Sequence, residues 1–240
     1  MTPAVATSES EIKRRLTKIK EMGWVKTHRL GDTGIGKTLE DLSDIPENNI
    51  PGPDDKRYEL KAARKNSASM LTLFTKSPLP PKANSVLLQK FGYLSAKGNE
   101  KKELHTTVSA NRLNTLKGKP GLKISVKQRR VNLVDQHGKV LGYWDNATLK
   151  IRFEAKYPGL LYVKAQNAGK GKKEEFFFDE AWFLWGFSFQ NFIKLLEEDV
   201  IKVDIRIGQY PNGSPHDHGT GFRVMPDKLE LCFEHRKQII

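Results

Sequence analysis

The sequence predicts an α/β fold. Three observations predict it: an amphipathic helical pattern at residues 10–22, a middle third in which apolar residues fall into short extended runs, and a C-terminal stretch where a helical period at 187–198 gives way to a two-residue alternation at 201–207.

Taken in order, residues 10–22 place Ile12, Leu16, Ile19 and Met22 at three- and four-residue steps, with Ser10 as the expected N-cap and Gly23 as the stop. A second helix is expected over 36–43, followed by a Pro- and Asn-rich loop at 45–55 and an extended segment at 58–62. Strands are expected at 70–75, 105–109, 124–126 and 131–134, a short helix at 86–93, and turns at 136–138 and 146–148. Residues 160–166 read as a strand, and the Gly/Lys run 169–173 as an exposed hairpin tip. Trp182, Phe183, Trp185 and Phe187, dense around Leu184, read as a helix-like buried core in preference to a base-stacking platform. In the last strand Ile201, Val203, Ile205 and Ile207 alternate with Lys202, Asp204 and Arg206, so one face carries polar groups.

A chain of 240 residues can bury a sizeable core as one domain or two lobes. Its formal net charge of +13 favours a polyanionic partner such as nucleic acid. Cys232 is the single cysteine, so neither an intramolecular disulfide nor a Cys-rich zinc site is available, and a reducing compartment is expected. No signal-like N-terminus and no run approaching the roughly 20 apolar residues of a membrane span is present, so a cytoplasmic protein without a membrane partner is expected.

The informative chemistry lies in residues 53–61, Pro-Asp-Asp-Lys-Arg-Tyr-Glu-Leu-Lys. On a strand Glu59 and Lys61 share a face while Leu60 points into the core, and Asp54 sits in the turn before them. Hydrolysing a phosphodiester needs a hard cation held by carboxylates and a cationic group beside the attacking water. Asp54, Glu59 and the Leu60 carbonyl suit Mg²⁺, and Lys61 suits the water. A solvated hairpin with surface ion pairs is the alternative for so short a pattern.

Residues 31–38, GDTGIGKT, satisfy the phosphate-loop pattern in full. A true phosphate loop follows a buried parallel strand, whereas residues 24–30 contain Lys26, His28 and Arg29; the best downstream apolar-then-Asp run, 131–135, is interrupted by Asn132. The same residues serve as a glycine-rich turn opening a helix, with Lys37 and free N–H groups toward phosphate, or as a purely structural turn. His216, Asp217 and His218 form a loop whose His-x-His pair lacks further zinc ligands at a standard spacing. Lys76, Asn111 and Arg112 are candidate phosphate or base contacts.

Four blocks together carry more information than the triad: residues 33–42 (TGIGKTLEDL), 53–61 (PDDKRYELK), 71–78 (LTLFTKSP), and 201–208 (IKVDIRIG) with 216–220 (HDHGT). In these the sequence resembles the MvaI/BcnI type II restriction endonucleases, more on the MvaI side, and more distantly the mismatch-repair nicking endonuclease MutH. The resemblance is weak through 118–179.

The resemblance implies a PD-(D/E)xK, MutH-like fold, with a mixed central sheet, flanking helices and two lobes around a DNA cleft. It implies a catalytic lobe including about 24–110 and recognition elements mainly in 111–240. It assigns catalysis to Asp54, Glu59 and Lys61, with Glu40 as a further acid; Glu40 also lies three residues after Lys37, where an intrahelical ion pair is the alternative. It places Asp204, Arg206, His216, Asp217, His218 and Arg223 among the base-reading elements, where Arg donates to guanine and Asp accepts from cytosine. The function implied is Mg²⁺-dependent cleavage of double-stranded DNA at a short CC-x-GG-type site by a monomer that nicks the strands in sequence. The competing classes are a P-loop NTPase and a non-catalytic DNA-binding protein of the same fold.

Overall fold

In the computed structural model, which describes residues 9–43, 59–96, 101–157 and 159–240, the N-terminal apolar stripe is buried along helix Glu9–Glu21. Ile12, Leu16 and Ile19 recur on one face, and burying each contributes about 1.5–3 kcal/mol. Glu11 on the outer face accepts from Arg14 and Arg15. Glu9 is already helical, so Ser10 lies inside the helix and is not its cap. Gly23, at φ 70°, follows its end as expected.

The chain divides into two compact units, one of Met1–Ser69, Glu154–Phe187 and Leu229–Ile240, the other of Met70–Phe153 and Ser188–Lys228. Residue 110 lies inside the second of these units. Sheet pairing explains the division, because the strand at 59 takes its neighbour from 160–165 and not from the residues that directly follow it.

In the first unit the sheet runs Val25–Lys26, Glu175–Trp185, Leu160–Ala168, Glu59–Arg64, with His235–Gln238 also paired to Glu175–Trp185. Leu160–Ala168 and Glu175–Trp185 form an antiparallel hairpin whose tip holds Gly169 and the 3-10 turn Gly171–Lys173. Glu59–Arg64 pairs parallel to Leu160–Ala168, which makes the sheet mixed. Helix Gly34–Ser43 packs on the Glu59–Arg64 strand and helix Glu9–Glu21 on Glu175–Trp185. Ile12, Leu16, Leu39, Val163, Phe176 and Phe178 form the core between them, and Leu60 and Ala62 pack against it. Trp182, Phe183 and Trp185 belong to a strand and are half-buried, contrary to the helix-like reading; only Leu184 and Phe187 of that group are core residues. A strand forms there because the hairpin partner supplies its backbone hydrogen bonds, although the buried residues Ala181, Leu184 and Phe187 fall three apart.

The second unit contains an antiparallel sheet ordered Leu71–Thr75, Gly221–Val224, Ile201–Gln209, Lys102–Val108, Tyr93–Leu94, with Pro215–Asp217 beside the end of Ile201–Gln209. A three-stranded meander, Lys123–Lys127, Arg130–Val134 and Val140–Asp145, accompanies it. Phe74, Trp144, Phe153, Phe192 and Phe222 interlock as an aromatic core. Residues 146–148, expected as a turn, instead open helix Asn146–Glu154. Asp145 caps it by accepting the Thr148 N–H and hydroxyl at 2.7 Å, and Leu149 and Phe153 give it a buried i, i+4 stripe. Among the described residues no helix is long and apolar enough to cross a membrane.

Candidate active site

Strand alternation fixes the central feature of the first unit. With Leu60 and Ala62 packed on the core, Glu59 and Lys61 project from the opposite face of the sheet. The Glu59 carboxylate is buried, at 7% exposure, and its Oε1 accepts from Lys61 Nζ at 3.0 Å. A second ammonium, Lys156, lies 3.0 Å from Oε2 and 3.3 Å from Oε1. Sequence reasoning missed Lys156, since it stands 97 residues from Glu59 and carries no local motif. The register brings it there: Leu160 pairs with Glu59, and the Glu59 N–H donates to the Gly159 carbonyl at 2.7 Å. Tyr157, buried against Phe187 and Phe233, pins the same segment; burial, then the Glu59 and Cys232 charges, push its phenol well above the usual range, so it stays neutral. Burial likewise pushes the Cys232 thiol up to about 12, which leaves it unreactive.

Asp54 and the rest of the 45–55 loop lie outside the described residues. Among the described residues no group of three or more His, Cys, Asp or Glu gathers as a metal cage. Glu40 is half-buried on helix Gly34–Ser43, which packs on the Glu59 strand. Asp41 takes His28 Nδ1 at 2.9 Å and pairs with Lys37, one turn away on the same helix, at 2.9 Å; these contacts, His28 first, hold its carboxyl below the usual range.

The phosphate-loop pattern has a structural use. Thr38 is fully buried, donates to the Gly34 carbonyl and accepts from the His28 N–H. A Cβ at Gly34 would stand 2.3 Å from the Arg29 carbonyl, so only glycine fits there. The preceding strand is the two-residue Val25–Lys26, paired antiparallel to Phe176 and Glu175, not a buried parallel strand. Asp135, the expected downstream acid, is a turn residue holding Lys90 and the His137 and Lys139 N–H groups. Both conditions for a nucleotide-binding phosphate loop fail.

In the second unit, Asp204 is buried at 3% exposure on the central strand. Its Oδ2 accepts from Arg206 Nε and from an Arg223 guanidinium nitrogen, each at 2.8 Å, and its Oδ1 from the Thr107 hydroxyl at 3.0 Å. Arg223 Nε also donates to the Thr72 hydroxyl at 2.9 Å. Asp217 is similarly engaged: Oδ1 accepts the Gly219 and Thr220 N–H groups, and Oδ2 accepts Ser77 and Asn84. The expectation that these two acids accept directly from a base thus meets oxygens already engaged within the protein.

His216 stands 4.2 Å from His218 and 4.4 Å from Tyr210, ring centre to ring centre, and the His218 N–H donates to the Arg206 carbonyl. Lys76 is fixed through its backbone, to the Thr220 carbonyl and the Trp144 indole. Asn111 and Arg112 are exposed, and Arg112 lines a surface cavity of about 500 Å³ with Thr107, Ser109 and Lys202.

A mixed sheet with a Glu-x-Lys pair on a parallel strand, in a chain whose second unit displays anchored arginines, has the features expected of a nuclease. Comparison with known proteins agrees. The MvaI/BcnI restriction endonuclease family profile matches residues 13–233. A solved complex of restriction endonuclease MvaI with its cognate DNA substrate is 31% identical, with a TM-score of 0.83, covering 99% of this chain and 100% of that one. The same endonuclease in the absence of DNA is 31% identical, with a TM-score of 0.59 and full coverage of both chains. Comparison with curated proteins finds no match. The chain belongs to the MvaI/BcnI restriction endonuclease family. It is a site-specific type II endonuclease acting on DNA, and enzymes of this kind generally use divalent metal ions.

Proposed function

We propose that the protein hydrolyses phosphodiesters of double-stranded DNA at a short CC-x-GG-type site, with Mg²⁺, as a monomer that nicks one strand and then the other. The observation that carries this reading is the buried Glu59 carboxylate with Lys61 on the same face, 3.0 Å away. Hard, negatively charged oxygens beside a lysine suit an oxygen-seeking divalent cation, so the donor chemistry fits Mg²⁺. Asp54, Glu59 and the Leu60 carbonyl would hold it, with Glu40 as a further acid. When bound, the ion supplies charge neutralisation and Lewis acidity at the scissile phosphate. Lys61 orients the attacking water and faces the charge that develops on the phosphate oxygens.

Recognition belongs to the second unit. Arg206 and Arg223 read guanine edges by paired donation, while buried Asp204 fixes their planes. His216 and His218 add donors beside them, His216 and Asp217 lying on the strand Pro215–Asp217 and not in the loop expected, and Asp217 holds the Gly219 and Thr220 N–H groups that follow. Lys37, Lys76, Asn111 and Arg112 contact the backbone or flanking bases. The support for double-stranded DNA is the likeness to MvaI solved with its cognate DNA substrate.

The decisive experiment incubates purified protein with unmodified phage DNA and Mg²⁺, without nucleotide, and sequences the ends. Discrete fragments sharing one terminal sequence are expected; intact DNA would leave only a binding protein. On a single-site supercoiled plasmid, open circles should accumulate before linear product.

A further inference from the structure

Glu59 is matched by more positive charge than a metal ligand requires. Its buried carboxylate meets Lys61 on Oε1 and Lys156 on Oε2, both at 3.0 Å. Lys156 is itself well covered, its side chain 13% exposed. Its place is set by rigid neighbours: Tyr157 in the core on one side, and the hydrogen bond from Glu59 N–H to the Gly159 carbonyl beyond. A buried carboxylate without a counter-charge is costly, and two ammoniums supply one. A divalent cation takes carboxylate oxygens at about 2.0–2.6 Å. An ammonium held on Oε2 then stands within a few ångströms of it, and the two like charges repel strongly in so sheltered a place.

We propose that Lys156 is a placeholder cation. It neutralises Glu59 while the site holds no metal and yields Oε2 when a divalent ion arrives, so it sets the metal concentration at which the site fills. The proposal rests on the reading of Glu59 as a metal ligand. Lys156 is a positioning residue acting through Glu59. A merely structural lysine would, on removal, leave metal affinity unchanged or weaken it; a placeholder, on removal, strengthens it.

The test titrates Mn²⁺ into the full chain without DNA and counts free Mn²⁺ by electron paramagnetic resonance, for wild type, Lys156→Met and Lys156→Arg. Methionine keeps the aliphatic stem and removes the charge. Lys156→Met should bind Mn²⁺ about tenfold more tightly, and Lys156→Arg close to wild type. In EDTA the Lys156→Met protein should melt below wild type, and Mn²⁺ should close that gap. Should Lys156→Met prove insoluble, Lys156→Gln is measured on the same scale, and the paired change Glu59→Gln with Lys156→Met should recover the fold because no buried carboxylate oxygen is left without the cation that faced it. Unchanged or weaker Mn²⁺ binding in the neutral variant overturns the placeholder. If wild type still cleaves DNA with Mn²⁺ in that case, only the placeholder falls; a wild type that neither cleaves nor binds Mn²⁺ removes the reading of Glu59 beneath it.

Discussion

At Glu59, the alternation that sends Leu60 into the core forces the acid and Lys61 onto one face, so the core and the chemistry are set by the same six residues. Alanine at Asp54, Glu59 or Lys61 should slow plasmid cleavage at least about 100-fold while the circular-dichroism spectrum is unchanged. Near-normal cutting by the Asp54→Ala protein would remove that residue from the site. Asp135 offers a separate residue-scale test. The Lys90 ammonium, reinforced by the His137 and Lys139 N–H groups, lowers its carboxyl to about 2. A depressed carboxyl adds stability above its unfolded value of about 3.9, and that contribution disappears as pH falls through the folded value. Asp135→Asn should therefore melt below wild type at neutral pH, and the gap should close between about pH 4 and pH 2. A gap independent of pH in a melting series would deny the carboxylate this role.

Among the elements, helix Phe189–Glu197 shows what local sequence decides. Ser188 caps it by accepting the Asn191 N–H at 3.1 Å, and Phe192, Leu195 and Leu196 bury its inner stripe. Ser188→Ala should cost about 1 kcal/mol in urea unfolding, and Ser188→Asp should recover most of that. Helices and strands with strong periods, such as those at 9–21 and 201–209, were legible because their burial follows from neighbours in sequence. The helix at 146–154 was not, since Asn146 and Thr148 are turn formers by propensity; the cue was Asp145 as a cap, with Leu149 and Phe153 one turn apart. In the site, Glu59 and Lys61 could be placed from spacing alone. Lys156 could not, because a parallel register delivers it from a distant segment. Nor could the engagement of Asp204 be read, since Thr107 and Arg223 reach it from other strands.

Across the whole molecule, a net charge of +13 favours a baseline of sequence-independent attraction to DNA, on which the proposed arginine contacts would act. Arg206→Ala or Arg223→Ala should cost about 1–3 kcal/mol on a cognate duplex and little on a scrambled one. Lys76→Ala should weaken both and reduce the salt slope by about one. Affinities for the two duplexes at several salt concentrations separate the classes; equal losses for the arginine variants would make them backbone contacts and move base reading toward Asn111 and Arg112.

The parallel pairing of Glu59–Arg64 with Leu160–Ala168 also bears on how the enzyme is born. Glu59 and Lys156 are 97 residues apart, and the intervening chain includes most of the other unit. A nascent chain shorter than about 155 residues has neither the strand that receives Glu59 nor the second ammonium, Lys156, that meets it. Chains truncated before that strand are therefore expected not to cut DNA, so that an interrupted translation stopping short of residue 160 would release an inert product, which cleavage assays on truncated proteins check.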